Sequence, residues 1–285
     1  MTNDVELLEL PAGPAVEQGP RVELFGIEID AIDMEGAVDR IYDWIALGDL
    51  NCRFVVTPNV DHVVLFQHHA GLRCAYEHAA LVLADGMPVV AASRLLGRPV
   101  PDRVAGSDLA PALFDVAGER GGLRVYLLGA APGVAERAAK KILERWPHVN
   151  VVGTYSPPIG FERDPHECDA ILARIGAAQP DLLIVGVGAP KQELWVDAHR
   201  ERIEATVALC IGATIDFLAG EKQRAPNWMR RCGLEWLHRV ASEPRRLLGR
   251  YARDAWIFPR LVCQEWLSGI RRLHGQSAPA NAVKR

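Results

Sequence analysis

The chain has 285 residues, of which 49% are hydrophobic and 24% are charged, so it can bury a sizeable globular core. No apolar run approaches the length of a membrane span, and we therefore expect any contact with a membrane to be made at its surface. The net charge of -4 identifies no partner by itself, but it is unevenly distributed. Residues 222–285 contain fourteen Lys or Arg and four Asp or Glu, a net charge of +10, which leaves -14 for the remainder.

The predicted elements follow in chain order. Residues 1–20 contain several Pro and Gly and some acids; they predict disorder and do not resemble a signal peptide. Apolar runs predict strands at 22–30 (with a turn at Gly26), 54–56, 81–84, 123–129, 149–153, 182–185 and 207–211. Apolar residues at helical spacing predict helices at 34–47, 60–66, 72–78, 86–96, 107–117, 134–145, 166–177 and 191–203. Residues 212–220 are predicted to be a turn-rich connection.

The alternation of strand and helix after residue 123 is typical of a parallel sheet. We therefore predict an α/β fold with a Rossmann-like parallel-sheet core over residues 21–220. Residues 221–275 alternate arginines with tryptophans and leucines, the pattern of helices that lie in a membrane interface, and predict a basic helical appendage. A solvated basic helix pair is the alternative. Residues 276–285 are predicted to be disordered.

Glycines follow two of the predicted strands. The strand at 182–185 runs into Gly188 and then into a helix that begins near Pro190, and the strand at 123–129 ends in a loop that starts at Gly129. Ligands of α/β sheets bind beyond the carboxyl ends of the strands, and helix N-termini favour phosphate. We therefore predict that Gly129, Gly188, Gln192 and Glu193 bind substrate. The alternative is an ordinary turn followed by an exposed helix.

Polar side chains also end the strands at 54–56 and 81–84. Asp85, next to Gly86, is a candidate general base, although it could instead cap the following helix. Thr57 and Asn59 could hydrogen-bond a sugar, or satisfy only their own turn. Arg103 could hold a phosphate as a planar fork, or pair with Asp102 or Asp108. Asp108, a second candidate for substrate binding, could also cap its helix.

Five stretches occur together in one order: TPNVD at 57–61, ADG at 84–86, RVAGSDL at 103–109, GVGAPKQELW at 186–195, and RAPNWMRRCGLEWLHRVASEPRRLLGRY at 224–251. This set resembles the WecG/TagA/CpsF family of bacterial glycosyltransferases, glycosyltransferase family 26, from about residue 24 to about residue 259. The resemblance implies an inverting hexosyltransferase that moves a sugar from a UDP-sugar donor to a polyprenyl-diphosphate-linked acceptor in cell-surface polysaccharide synthesis. Glucose, N-acetylmannosamine and its uronic acid remain open as the sugar.

The resemblance also implies roles for individual residues. Asp85 would be the catalytic base, with Thr57 beside it, and Gln192 would belong to the sugar-nucleotide site. The appendage would dock on the anionic inner face of the cytoplasmic membrane and add arginines to the active site. The residues that match this role are Arg239, one of Arg245 or Arg246, and Arg250.

No metal or cofactor is predicted. An Asp-x-Asp motif is missing beside the proposed pocket, and the arginines could replace a metal at the diphosphate. The six cysteines are scattered, without a CxxC motif or a histidine at a zinc spacing, which favours a reduced, cytosolic setting.

A nucleic-acid-binding protein that uses the basic segment is the alternative function, although no RNA or DNA motif occurs. An oxidoreductase is disfavoured because Gly129–Gly133 lacks the G-x-G-x-x-G spacing. Homo-oligomerisation is left open.

Overall fold

The computed structural model of the chain describes residues 19–48, 51–231 and 233–276. Nearly all of the two ends predicted to be disordered, and Cys232, lie outside these ranges. The core is a six-stranded sheet in the order β4-β3-β8-β7-β5-β6, and every pair of neighbours in it is parallel. Its strands are β3 (Arg53–Val56), β4 (Leu81–Val82), β5 (Leu123–Gly129), β6 (Val149–Tyr155), β7 (Leu182–Gly186) and β8 (Val207–Cys210). The predicted α/β class with a parallel sheet is confirmed.

Helices cover both faces of this sheet, because its central strands are apolar on both sides. One face packs against α2 (Val60–Phe66), α3 (Ala70–His78), α4 (Met87–Leu95), α7 (Pro165–Ala178) and α8 (Lys191–His199). The other face packs against α1 (Met34–Leu47), α5 (Gly106–Asp115), α6 (Val134–Arg145) and α9 (Thr214–Ala219). The neighbouring strands β3 and β8 thus lead into helices on opposite faces. A crevice at the strand tips is expected where this happens.

Local chemistry sets the ends of the helices. Asp33 caps α1 by accepting from the Gly36 amide at 2.9 Å, and the helix ends at Gly48 in the left-handed conformation. Helix α9 was not predicted. It occupies six residues between Gly212 and Gly220, and a segment so short and closely bounded by glycines is hard to distinguish from turns by periodicity.

An antiparallel hairpin precedes the core: β1 (Arg21–Leu24) and β2 (Ile27–Asp30). Phe25 and Gly26 form its turn with positive φ angles of 57° and 81°. Asp30 attaches the hairpin to the edge of the large sheet, because its buried carboxylate accepts from the Val82 amide at 2.8 Å and pairs with Arg21 at 3.0 Å.

Three helices follow the core: α10 (Asn227–Arg231), α11 (Glu235–Ser242) and α12 (Pro244–Gln276). We call them and their joining loops the C-terminal segment; it is the basic helical appendage predicted from the sequence. Pro244 starts α12, and the helix continues through Pro259. Phe258 is buried against Phe25 of the hairpin, with ring centroids 5.5 Å apart. Within the residues that the structure describes, no helix combines the length and the apolar character needed to cross a bilayer.

Candidate active site

A cavity of about 350 Å³ lies between the tips of β3 and β4 and the C-terminal segment. The core and the segment each provide part of its polar wall, and apolar side chains form the rest. The polar lining includes Asn59, Asp61, Asp85, Arg103, Arg230, Glu235, Arg239, Arg250 and Asp254. The apolar lining includes Met87, Trp236, Tyr251 and Phe258. The cavity suits a ligand that has both a charged part and an apolar or ring-shaped part.

Asp85 lies at the tip of β4 and lines the cavity. Its amide donates to the Pro58 carbonyl at 2.9 Å, which ties the loops after β3 and β4 together. Helix α4 has Gly86 at its N-cap position and no side-chain cap hydrogen bond among the described residues. The Asp85 carboxylate, 25% exposed, therefore faces the cavity without capping the helix.

The surroundings of Asp85 change its acidity. Burial raises the pKa of Asp85 to about 6, and the charge of Glu235 adds to this; Arg103, Arg239 and His62 oppose it. A carboxyl group with this pKa is mostly ionised at neutral pH and is much more basic than an ordinary aspartate. The group is therefore able to accept a proton from a bound hydroxyl.

Arg103 and Asp108 lie in a cluster of charges beside Asp85. Arg103 donates to Asp108 at 2.8 Å, and its other terminal nitrogen is 3.8 Å from Asp85. Asp108 also accepts from Arg224 at 2.5 Å and from Arg230 at 2.9 Å. Burial works against ionisation of Asp108, but Arg224 and the other two arginines hold its pKa below the ordinary value. Asp108 thus joins the core to the C-terminal region through ion pairs, and Arg103 adopts the pairing that the sequence left as an alternative.

Thr57 and Asn59 follow β3, as predicted. Thr57 is buried, and a Cβ atom on Gly106, the first residue of α5, would lie 3.2 Å from its hydroxyl oxygen. The same Cβ would lie 2.3 Å from Ile211, so only glycine lets α5 begin this close to the strand tips. Asn59 caps α2 by accepting from the His62 amide at 3.3 Å, and it also lines the cavity. Its local turn role and its place at the cavity therefore coexist.

Gln192 and Glu193 are buried, neither exposed on a helix nor lining the cavity. The Gln192 side-chain oxygen accepts from the amides of Gly188 at 3.1 Å and Gly212 at 3.2 Å, so it fixes the loops after β7 and β8. Its side-chain nitrogen donates to Glu193 at 2.8 Å. Gly188 has φ +90°, and a Cβ there would meet nothing within 4 Å. The loop after β7 is thus fixed by Gln192 on its buried side, and open space adjoins Gly188.

His62 was not singled out from the sequence, although it follows the TPNVD stretch directly. Its ring nitrogens contact Glu193 at 3.2 Å and Asn59 at 3.1 Å. Burial lowers the pKa of His62, but the hydrogen bond and charge of Glu193 outweigh it, so the pKa is raised overall. His62 therefore connects the buried Gln192–Glu193 pair to the cavity wall.

Gly129 has a different setting from the one expected. A Cβ atom at this position would lie 2.5 Å from the Gly186 backbone, so glycine is required there for the close approach of β5 and β7. Gly129 does not line the cavity. Substrate binding at Gly129 stays a prediction, and close strand packing is enough to explain the glycine.

The C-terminal segment brings arginines to the cavity. Arg239 of α11 lines it, donates to Glu235 at 2.9 Å, and lies over the Phe217 ring at 5.5 Å. Arg250 of α12 also lines it and is 3.4 Å from Asp61. These two arginines come from different helices and converge on the wall that faces Asp85.

The described structure does not place the other two predicted arginines, Arg245 and Arg246, at the cavity. Arg245 is exposed in the first turn of α12 and is not among the residues that line the cavity. The side chain of Arg246 lies outside the described part of the structure. Of the pair left open by the sequence, neither is therefore assigned to the cavity by geometry.

One group of three side chains outside the cavity could hold a metal ion. Cys74 and His78 are one helical turn apart in α3, a spacing that allows both to bind one ion, and Asp197 of α8 lies beside them. The three ligand atoms lie within 4.8 Å of one another, on the protein surface and away from the cavity. The sequence indicated no cysteine paired with a histidine at a zinc spacing, and it did not single out this pair one helical turn apart. Arg200 is 3.1 Å from the same Asp197 oxygen and competes for it.

The parallel sheet, the cavity at its strand tips, and a carboxylate of raised pKa among arginines are features typical of an α/β enzyme. The model of the "Glycosyl transferase WecG/TagA/CpsF family" matches residues 22–272. The chain belongs to this family and is a glycosyltransferase.

Individual relatives agree with the family match. The chain is 30% identical, over 227 residues, to N-acetylglucosaminyldiphosphoundecaprenol N-acetyl-beta-D-mannosaminyltransferases from Staphylococcus aureus strains MW2, NCTC 8325 / PS 47 and MRSA252. The matched region covers 80% of this chain and 87% of each relative. The names of these relatives describe transfer of N-acetylmannosamine to a lipid-linked sugar.

Proposed function

We propose that this chain transfers N-acetylmannosamine, or a closely related sugar, from a UDP-sugar to a polyprenyl-diphosphate-linked saccharide, with inversion at the anomeric carbon. The observation that carries the proposal is Asp85, a cavity-lining carboxylate whose pKa is raised to about 6, next to arginines from two parts of the chain. The names of the relatives support the acceptor class and the choice of N-acetylmannosamine as the first sugar to test.

The proposed reaction is a single displacement. Asp85 accepts the proton of the acceptor hydroxyl, and the hydroxyl oxygen forms a bond to the anomeric carbon of the donor sugar. The bond between that carbon and the diphosphate oxygen breaks on the opposite face, and UDP leaves with the electron pair. General-base assistance of this kind typically contributes about 10²–10⁴-fold.

The leaving diphosphate gains negative charge, which cations must stabilise. Arg103 and Arg239 both have a terminal nitrogen near a carboxylate in the cavity, and Arg250 lines the same cavity. We assign these three arginines to the diphosphate. Gly188 and the pair Gln192 and Glu193 would shape the loops that receive the nucleotide, and Thr57 and Asn59 would position the sugar beside Asp85. The core over residues 21–220 would thus carry the catalytic base, and the C-terminal segment would complete the active site.

The C-terminal segment would also hold the enzyme on an anionic membrane, on the inner face of the cytoplasmic membrane. Several of its large apolar side chains are exposed, with Trp256 at 65% and Trp266 at 51%, and the Arg260 guanidinium lies 3.7 Å above the Trp256 ring. Aromatic and basic residues on one helix are typical of binding at a membrane interface. The lipid-linked acceptor would then be presented to the cavity from the same surface.

The test is a transfer assay on the purified chain with a short-chain polyprenyl-diphosphate-GlcNAc acceptor and a panel of UDP-sugars. We expect UDP-N-acetylmannosamine, its uronic acid or UDP-glucose to give a disaccharide product with inverted anomeric configuration, read by mass spectrometry and NMR. A panel in which no UDP-sugar is transferred, although the chain is folded and the acceptor intact, would contradict the proposal.

Metal independence is a further prediction. The sequence has no Asp-x-Asp motif at the strand tips, and the arginines of the cavity can neutralise the diphosphate. Transfer in excess EDTA should match transfer in buffer containing Mg²⁺, measured as initial rates. Loss of activity in EDTA that Mg²⁺ or Mn²⁺ restores would indicate a metal site.

A further inference from the structure

Glu235 is the acidic residue of the first turn of α11, and its side chain lines the cavity. One carboxylate oxygen accepts from Arg239 at 2.9 Å, and the other is 3.8 Å from Arg103. Arg239 belongs to the C-terminal segment and Arg103 to the core. A single carboxylate thus interacts with guanidinium groups from both walls of the cavity.

The same terminal nitrogen of Arg103 is also 3.8 Å from Asp85, so Glu235 and Asp85 share a cation. Asp108 takes the second terminal nitrogen of Arg103 and is held by Arg224 and Arg230 as well. Glu235 has a longer side chain than Asp108, and its hydrogen bond is to the neighbouring turn of its own helix. Of these two carboxylates, Asp108 and Glu235, Glu235 is therefore the one that a change of rotamer can withdraw from Arg103.

We propose that Glu235 is an internal competitor for the diphosphate of the sugar nucleotide, occupying Arg239 and Arg103 until the diphosphate displaces it. The inference rests on the proposed function to the extent that these arginines bind a diphosphate. A carboxylate and a diphosphate compete for the two guanidinium groups, because like charges at such distances repel. Binding of the diphosphate therefore requires the Glu235 carboxylate to turn away, and its return helps to expel the product UDP.

If Glu235 competes in this way, removing its charge should tighten diphosphate binding. Glu235→Gln keeps the size of the side chain and can still accept from Arg239, but it removes the competing charge. A residue that merely holds the arginines in place would give the opposite result, weaker binding, when it is replaced.

The experiment measures the affinity of the full chain for inorganic pyrophosphate and for UDP by isothermal titration calorimetry. We expect Glu235→Gln to bind pyrophosphate roughly five- to tenfold more tightly than the parent chain, with the gain reduced at high salt. The matched control is Glu265→Gln, which removes a 2.7 Å pair between α12 and Arg98 outside the cavity and should leave both affinities unchanged. Glu235→Ala, which removes the carboxylate entirely, should change the affinity in the same direction if the Gln variant folds poorly.

Pyrophosphate affinity in Glu235→Gln that is equal to or weaker than that of the parent chain overturns the inference. Pyrophosphate is the decisive probe because its binding does not depend on the sugar, the acceptor or the base. If Glu235→Gln gains affinity for pyrophosphate while no UDP-sugar is transferred by the parent chain, the proposed donor is wrong and the role of Glu235 stands. If transfer occurs but the affinity gain does not, only the role of Glu235 fails.

Discussion

Asp85 lies in surroundings that disfavour its ionised form. Burial raises its pKa to about 6, and Glu235 adds to the effect, while Arg103, Arg239 and His62 partly offset it. Because the folded-state pKa lies above the unfolded value of 3.8, this group favours the folded state at low pH, and that contribution is lost as pH rises through about 6. At neutral pH the ionised carboxylate therefore costs stability, a common property of groups that serve catalysis.

The first prediction is that Asp85→Asn keeps the fold but lowers transfer by about 10²–10⁴-fold, because the amide cannot accept the acceptor's proton. The same change should increase the free energy of unfolding at pH 7, by roughly 1–3 kcal/mol, because the buried charge is removed. Initial rates and thermal denaturation measure the two effects. Near-normal turnover would exclude Asp85 as the base.

The second prediction concerns the pH dependence of transfer. The base must be ionised, so kcat/KM should fall as pH is lowered through about 6, with a slope approaching one per pH unit. The charged groups that face Asp85 are Arg103, Arg239, Glu235 and His62, and loss of Glu235 should move this limb to lower pH. Rates measured over a pH range in which circular dichroism is constant test this. An acidic limb near pH 4 would mean that Asp85 is unperturbed or is not the base.

At the level of elements, the start of α8 controls the positions of two loops. Gln192 accepts from the amides that follow β7 and β8, and Glu193 contacts His62 of α2. The first turn of α8 thus contacts groups that follow three strands, β7, β8 and β3. The loops after β7 and β8 are therefore held by this helix start as well as shaped by their own glycines.

The third prediction is that Gln192→Leu destabilises the chain by roughly 2–4 kcal/mol and weakens UDP binding. Leucine would leave the amides of Gly188 and Gly212 without this acceptor in a partly buried setting. Chemical denaturation and UDP titration give the two quantities. Gln264→Leu, on the exposed side of α12, is the control and should change neither by much. Unchanged stability in Gln192→Leu would show that the loops find other partners.

Secondary-structure elements could be predicted from the sequence better than contacts between distant segments. Strands such as β5 and β7 and helices such as α1 carry periodic apolar patterns, so their positions follow from local chemistry. The placement of β8 between β7 and β3 depends on pairing between distant segments, and periodicity does not encode it. The burial of Gln192 and Glu193 could not be predicted either, because polar residues at a helix start are usually exposed. Asp108 pairs with nearby Arg103, as the sequence allowed, but its other two partners, Arg224 and Arg230, lie more than one hundred residues further along the chain.

At the scale of the whole molecule, the C-terminal segment has two separable surfaces. Arg239 and Arg250 face the cavity, whereas Trp256 and Trp266 face outward. Catalytic charge and attachment to a membrane should therefore respond to different substitutions.

The fourth prediction compares variants of these two surfaces. Arg239→Ala should lower transfer by about 10²-fold, because one stabilising cation is lost, yet bind vesicles of phosphatidylglycerol and phosphatidylcholine like the parent chain. Trp256→Ala combined with Trp266→Ala should weaken vesicle binding and leave transfer to a water-soluble acceptor nearly unchanged. Vesicle sedimentation at low and high salt, with transfer assays in parallel, measures both. Equal loss of both properties in each variant would contradict the separation.

The contact between Phe25 and Phe258 has a consequence for how the protein is made. The hairpin is synthesised well before the helix that packs against it, since synthesis runs from the N-terminus. The cavity wall that carries Arg239 and Arg250 consequently forms only after α11 and the first part of α12 have been synthesised. A nascent chain that has reached only the core has Asp85 but lacks these cations, and under the proposed function we expect it to be inactive.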